Sequence, residues 1–268
     1  MILIGELINS SRQPVAEAIA AKDVKYIQNL AQAQAAAGVH YIDVNCGTRL
    51  ADESQVLVWL TQIIQEVVDL PLCLDSPNPE ALSKALQVHR GKALLNSISL
   101  EQQRYEQMLP IVLEYGCSVI GLCMDDEGMP ETVADTVRCA ELLVERLLQR
   151  GVPMEDLYLD PLVRPLSTNH QAATTFLGAV AALRDRFPTV HLTCGLSNIS
   201  YGLPKRRILN QAFLVAAMAA GLDSAILDPL DRNLMALVCA TEAILGKDPY
   251  CAGYLAAHRA GMLEHKET

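Results

Sequence analysis

Eight short and almost continuously apolar runs, separated by stretches of helical character, constrain the fold of this chain more than any other feature. Runs of this kind are typical of parallel strands that are covered on both faces. Between them, apolar residues recur at helical spacing, as in "VAEAIAAKDVKYIQNLAQAQAAAG" and "ETVADTVRCAELLVERLLQRG". Eight strand–helix units in 268 residues predict a (β/α)8 barrel, the TIM barrel. The apolar runs begin at Ile2, Val39, Leu70, Ala93, Ser118, Leu157, Val190 and Ser224.

A doubly wound sheet is the alternative architecture, but it usually has fewer strands and a glycine-rich first turn. The first run continues as "IGELIN", which is not a G-x-G-x-x-G fingerprint. A phosphate-binding G-x-x-x-x-G-K-[ST] motif is absent from the sequence. Because no linker or low-complexity segment interrupts the chain, we expect one domain over residues 1–268.

The composition and the charge limit which kinds of partner the protein can bind and which cellular compartment it occupies. A net charge of −10 argues against binding to nucleic acid or to anionic membranes. There is no basic and then apolar leader, and no uncharged stretch of about 18 residues that could span a membrane. The eight cysteines form no C-x-x-C pair and several lie in apolar runs. We therefore expect a soluble cytoplasmic protein with reduced thiols.

In a TIM barrel the active site lies where the strands end. A single acid at such a place often only caps a helix or turn, and Asp75 and Asp228 fit that role. Acids and amides at nearly every strand end, however, predict a cup that donates and accepts hydrogen bonds. The residues at these ends are Glu6, Asn9, Asp43, Asn45, Asp75, Asn96, Asp125, Asp126, Asp160, Ser197, Asn198 and Asp228.

Three enzyme chemistries compete for this cup. A Schiff-base aldolase needs a strand-end lysine, and the sequence offers none. A magnesium-dependent lyase could use the acids of "MDDEG" as ligands. A pterin presents two adjacent N–H donors that one carboxylate accepts as a pair, and asparagines match the remaining ring atoms. The residues alone support the metal and the pterin hypotheses equally.

Several motifs resemble one known family. "LIGELIN", "IDVNCG", "LCLDS", "LLNS", "DLYLDPLV" and "CGLSNISYGLPKRRILNQAFL" are similar, in unbroken order, to the methyltetrahydrofolate–corrinoid protein methyltransferases. The resemblance implies a homodimeric TIM barrel with tetrahydrofolate over its mouth. It also implies a corrinoid (cobalamin) carried by a separate partner protein, and no metal held by the barrel itself.

The resemblance also implies roles for single residues. Asp75, Asn96 and Asp160 match the pterin-contacting positions. Asn198, in "GLSN", matches the asparagine that approaches N5 of the folate and is the candidate catalytic residue. Tyr201 and Arg206 are further candidates for folate binding, with Arg207 as the competing arginine.

The implied reaction is methyl transfer between N5 of tetrahydrofolate and the cobalt of a corrinoid protein, running from the methyl-corrinoid protein to tetrahydrofolate. A metal-dependent lyase and a non-catalytic pterin carrier are the alternatives. A carrier would need the cup but not Asn198. A dihydropteroate synthase shares the barrel, but "SSRQP" matches its first loop poorly.

Overall fold

The computed structural model describes residues 1–49 and 51–263, and in it the eight predicted strands form one parallel sheet. The strand order is β7-β6-β5-β4-β3-β2-β1-β8. The two outer strands approach each other through Asp223 N–H to Leu192 O, at 3.3 Å, and Ile226 N–H to Cys194 O, at 2.9 Å. The sheet therefore curls into a nearly closed barrel, which confirms the predicted TIM architecture. The strands are β1 (Ile2–Asn9), β2 (Tyr41–Asn45), β3 (Leu72–Asp75), β4 (Leu94–Ile98), β5 (Ser118–Leu122), β6 (Leu157–Asp160), β7 (His191–Leu192) and β8 (Ser224–Leu227).

The helices surround the barrel, and one predicted helical stretch is divided in two. Between α1 and α2, Lys22 adopts a left-handed conformation with φ of 54°. The Asp23 side chain then accepts the N–H of Tyr26 at 3.0 Å and starts a new helix. The helices are α1 (Gln13–Ala21), α2 (Val24–Ala36), α3 (Glu53–Gln65), α4 (Pro79–Val88), α5 (Gln102–Tyr115), α6 (Val133–Gln149), α7 (Ala172–Arg186), α8 (Arg206–Ala220), α9 (Arg232–Ile244) and α10 (Ala252–Arg259).

Strand β7 is shorter than its apolar run predicts. The run from Val190 continues for several residues, but only His191 and Leu192 are strand. Beyond them the chain bends at Gly195 into a 3₁₀ turn at Leu196–Ser200, in which Asn198 N–H donates to Gly195 O at 3.2 Å. Just beyond Leu192 the backbone still bonds to its neighbours, Thr193 N–H to Leu159 O at 2.8 Å and Ile226 N–H to Cys194 O at 2.9 Å, before the chain enters this turn.

Apolar side chains fill the barrel interior. Ile4, Cys73, Leu94, Ile120 and Tyr158 form one buried cluster inside the sheet. A larger cluster packs between the sheet and the helices. Full burial of each large aliphatic side chain stabilises the fold by roughly 1.5–3 kcal/mol. Because the interior is packed, a ligand can enter only at the mouth, where the strands end.

A bulge in β1 re-aims the residues that follow it. The pairing of β1 with β2 changes register between Gly5 and Ile8. Within the bulge, the N–H of Leu7 donates to Oε1 of Gln34, at 3.1 Å, instead of to a neighbouring strand. Gln34 reaches in from α2, and a Cβ on Gly5 would collide with its amide. This arrangement fixes the end of β1, including Glu6, at the barrel mouth.

None of the eight cysteines forms a disulfide in the structure. Six are buried, Cys239 is partly buried and Cys251 is exposed, so burial does not extend to all of them. Among the described residues, no helix combines the length and apolarity needed to cross a membrane.

Candidate active site

Acids and amides lie side by side at the ends of β2, β3 and β4. Asn45 pairs with Asp75 across one strand boundary, and Asp75 pairs with Asn96 across the next. The Nδ2 of Asn45 donates to Oδ2 of Asp75 at 2.7 Å. Two of the predicted pterin-contacting residues, Asp75 and Asn96, are therefore neighbours at one level of the barrel mouth.

Asp43 lies beneath this row and was only a member of the predicted rim. It is buried, and its Oδ1 has no hydrogen-bond partner among the described residues. Burial raises the pKa of Asp43 well above its usual range, and the negative charge of Asp75 raises it further. Burial also raises the pKa of Asp75, although Asn45 and Arg104 offset part of the effect. The pair is thus built to hold fewer than two negative charges.

Asp160 ends β6 and reaches the mouth from the other side of β5. Its side chain is buried, with the residue only 9% exposed, and its Oδ1 accepts the N–H of Leu162 at 2.7 Å. Burial raises the pKa of Asp160 to about 7. This carboxyl group can therefore gain or lose a proton near neutral pH.

Asn198 lies in the 3₁₀ turn that follows β7, at the same end of the barrel as the acids. It is exposed. A Cβ built on Gly195 would lie 3.0 Å from Nδ2 of Asn198, so the amide packs directly over this glycine. Because Gly195 has no side chain, the amide of Asn198 has room to occupy this position.

Arg206 holds the turn from the side of α8. Its Nη2 donates to Ser197 O at 2.6 Å, and its Nε donates to Ser200 Oγ at 3.0 Å. The guanidinium also lies 6.0 Å from the ring centre of Tyr201, which is 66% exposed. Among the described residues, Arg207 makes one longer contact, 3.8 Å from its Nε to Oδ2 of Asp231. The structure thus joins Arg206 and Tyr201 to the Asn198 turn, and Arg206 braces it.

Glu6 and Arg12 complete this side of the mouth, and sequence reasoning did not select either of them for the site. Arg12 Nη2 donates to Glu6 Oε1 at 2.7 Å. Ser197 Oγ donates to Glu6 Oε2 at 3.2 Å, which links β1 to the Asn198 turn. Glu6 was visible as a strand-end acid, whereas no local pattern marks Arg12, a single arginine in a loop.

Arg104 was also missed, and it holds the loop after β3 against the end of β4. From α5 it donates to the backbone carbonyls of Ser76, Pro77 and Ser97, at 3.0, 2.6 and 2.9 Å. Sequence spacing does not show that a helix residue such as Arg104 reaches back to the backbone of another part of the barrel, so this arginine could not be selected from the sequence.

Other strand-end acids have local roles. Asp126 accepts the N–H of Gln102 at 3.2 Å, and Asp125 accepts that of Glu127 at 3.1 Å. Asp228 accepts the N–H of Leu230 at 2.9 Å, which confirms its predicted turn role.

The cap role predicted for Asp75 is wrong. The Asn78 side chain caps α4, accepting the N–H of Glu80 at 3.0 Å, while Asp75 turns to Asn45. Within residues 1–49 and 51–263, no three His, Cys, Asp or Glu side chains converge as metal ligands.

A family model described as "Pterin binding enzyme" matches residues 5–228. The chain belongs to this family of pterin-binding enzymes. The matched region runs from the bulge in β1 to the end of β8, so it contains the mouth residues described above.

Curated relatives of this pterin-binding enzyme include a methylcorrinoid:tetrahydrofolate methyltransferase from Eubacterium limosum, 37% identical over 265 residues that cover 98% of both chains. Methionine synthases of Mycobacterium leprae and Mycobacterium tuberculosis are 30% identical over 84% of the chain. The chain spans about a fifth of those longer proteins.

Solved structures similar to this pterin-binding enzyme include dihydropteroate synthases. One from Yersinia pestis has a TM-score of 0.70, with 19% identity over 92% of this chain and 94% of that one. One from Clostridium difficile has a TM-score of 0.70, with 17% identity over 91% of this chain and 96% of that one. At these identities the likeness establishes the barrel fold alone.

Proposed function

We propose that this enzyme transfers a methyl group between N5 of tetrahydrofolate and the cobalt of a corrinoid protein, in the direction from methyl-corrinoid to tetrahydrofolate. The observation that carries the proposal is the full-length similarity to an enzyme named for this reaction. The mouth residues support it, because they suit a flat ring that has several N–H donors on one edge and a reacting nitrogen on the other.

The acid and amide row binds the ring in this proposal. Asp75 and Asp160 accept N–H donors from the pterin edge, and Asn96 pairs with the ring atoms between them. Each hydrogen bond to a charged acceptor contributes roughly 1.5–3 kcal/mol. Asp43 stays beneath the row, where its Oδ1, which has no partner among the described residues, can accept a further N–H donor.

Asn198 acts at the reacting nitrogen. In the proposed direction, the lone pair of N5 attacks the methyl group of the substrate, and the cobalt keeps the electron pair of the broken bond. Positive charge then develops on N5. A hydrogen bond from N5 to Oδ1 of Asn198 strengthens as that charge appears, which stabilises the transition state more than the bound substrate.

The open mouth fits a large partner. The Asn198 side chain is exposed, so a corrinoid protein can bring its cofactor against the face of the ring. We also propose that the enzyme is a cytoplasmic homodimer. Its net charge of −10 argues against binding to nucleic acid.

The testing experiment mixes the enzyme with tetrahydrofolate and methylcobalamin and follows cob(I)alamin by absorbance. Asn198→Ala should reduce turnover about 30- to 1000-fold, equivalent to roughly 2–4 kcal/mol of lost transition-state stabilisation. Folate affinity, measured by calorimetry, should change far less because the far edge of the ring is still held.

Asn169→Ala is the matched control, since that amide only accepts the N–H of Gln171 in a nearby turn. It should turn over at the wild-type rate. A wild-type protein that binds tetrahydrofolate without demethylating methylcobalamin or a methyl-corrinoid protein would be a carrier, and the proposal would be wrong.

A further inference from the structure

Glu6 is a mostly buried carboxylate at the mouth. It lies two residues beyond Ile4, whose side chain is in the barrel interior, and its side chain is 15% exposed. Its two oxygens accept from Arg12 and from the hydroxyl of Ser197. Glu6 caps neither of the first two helices, whose N-caps are Arg12 and Asp23. Its position therefore calls for another explanation.

Glu6 lies on the side of the barrel mouth to which the reacting nitrogen of a bound pterin would point. Ser197, its hydrogen-bond partner, directly precedes Asn198. Strand β1 pairs with β8, and β8 adjoins the turn after β7, while Asp75 and Asn96 lie on β3 and β4. A pterin held at its far edge by those two residues directs N5 toward Asn198, and so toward the side of Glu6. This step rests on the proposed function.

The charges around Glu6 come from three other segments. Arg12 lies in the loop after β1, Asp228 follows β8, and Asp43 is on β2. Burial raises the pKa of Glu6 above its usual value, and Asp228 adds to the increase, while Arg12 and the Ser197 hydroxyl offset part of it. The titration of Glu6 is therefore moved toward neutral pH.

We propose that Glu6 accepts, through the hydroxyl of Ser197, the proton that N5 of tetrahydrofolate releases on methylation, and returns it in the reverse reaction. The N5–carbon bond forms with the nitrogen lone pair, and the cobalt–carbon electron pair stays on the cobalt of the substrate. Once the N5–carbon bond has formed, the N5 proton leaves its hydrogen bond to Asn198 Oδ1 and passes to Ser197 Oγ, as the hydroxyl proton of Ser197 passes to Glu6 Oε2. Glu6 is thus a positioned proton acceptor that acts through Ser197.

The test is the pH dependence of kcat at saturating folate, where binding no longer limits the rate. In the direction of tetrahydrofolate methylation, kcat of the wild type should rise with pH as Glu6 ionises. Glu6→Gln should abolish this rise and reduce kcat on the high-pH plateau about 100-fold or more. The Kd of Glu6→Gln for tetrahydrofolate should stay within about twofold of the wild-type value, because a residue that only accepts a proton during the reaction does not contribute to binding.

Two neighbouring substitutions give shifts of opposite sign. Asp228→Asn removes a negative charge, so the midpoint of the kcat–pH curve should move to lower pH. Arg12→Gln removes a positive charge, so the midpoint should move to higher pH. Opposite shifts follow from titration of Glu6 and not from a structural role.

The outcomes separate the two proposals. A wild type that transfers no methyl group overturns the proposed function and this inference with it. An active wild type, with a pH-dependent rise that persists in Glu6→Gln, overturns the inference alone. If Glu6→Gln fails to fold, as judged by circular dichroism, the other two variants decide, and an unmoved midpoint in both overturns the inference.

Discussion

At the scale of single residues, Asp160 combines a binding role with a cost to the fold. Its carboxyl group is buried with one backbone N–H as a donor, and burial raises its pKa to about 7. Only the ionised form accepts a pair of N–H donors from a ring. Folate affinity should therefore weaken as the pH falls below 7.

The Asp160→Asn substitution should stabilise the empty protein at pH 8 and barely change it near pH 4. In the unfolded chain an Asp ionises with a pKa of about 3.9, so between pH 4 and 7 only the unfolded state has lost the proton. Each pH unit in that range costs the folded state roughly 1.4 kcal/mol, and the cost is constant above pH 7. The substitution removes this cost and should raise the free energy of unfolding at pH 8 by about 2–4 kcal/mol.

Urea denaturation at pH 4 and pH 8 measures this difference, with calorimetry to show the accompanying loss of folate affinity. Asp69→Asn makes the same chemical change at an exposed position and serves as the control. An equal change in stability at both pH values would show that Asp160 does not bear the buried charge.

The sequence could predict which single residues belong to the candidate site, but not how they contact one another. Strand-end position placed Asp75, Asn96, Asp160 and Asn198 on the predicted rim, and the family resemblance gave each of them a predicted role. What stayed hidden was which acid bonds to which amide, since Asn45 and Asp75 are 30 residues apart in the chain. The register of neighbouring strands brings them together, and a sequence alone does not give that register.

At the scale of elements, the turn after β7 depends on the missing side chain of Gly195. Gly195→Ala should lower turnover at least tenfold, because its Cβ would lie 3.0 Å from Nδ2 of Asn198 and displace the amide. The backbone at this position, with φ of −75°, is one that alanine accepts. Thermal stability should therefore fall little.

Gly47→Ala is the matched control. It also adds a Cβ beside an asparagine at the mouth, but at 3.5 Å from Oδ1 of Asn45, an ordinary contact. Rates and melting temperatures of both variants should be compared with the wild type. If the two variants are equally active, the close packing of Asn198 over Gly195 does not contribute to activity.

Elements were predictable where local pattern and tertiary packing agree. All eight strands follow apolar runs, but the run at β7 gave no sign that the regular strand ends at Leu192. The break between α1 and α2 did have a signal, since an aspartate such as Asp23 is a good helix N-cap. The helical spacing of apolar residues continues across this break, so the sequence was interpreted as one helical stretch.

At the scale of the whole molecule, the acids are used in hydrogen bonds, which predicts that activity survives chelation. Asp75 accepts from Asn45, and Asp126 accepts from the backbone of Gln102. Turnover of methylcobalamin with tetrahydrofolate should be unchanged after dialysis against EDTA. Activity that disappears and returns with magnesium or manganese would favour the metal-dependent lyase hypothesis.

The shortness of β7 has a mechanical consequence. With two strand residues, β7 is joined to β8 through the N–H groups of Asp223 and Ile226. A ladder this short opens at a smaller free-energy cost than the longer ladders around β3 and β4. The seam between β7 and β8 is therefore the compliant part of the barrel wall, and the arc that carries Asp75 and Asn96 is stiff. Movement at this seam carries the Asn198 turn as one unit, because Arg206 holds the turn together, while the opposite arc keeps a bound ring in place.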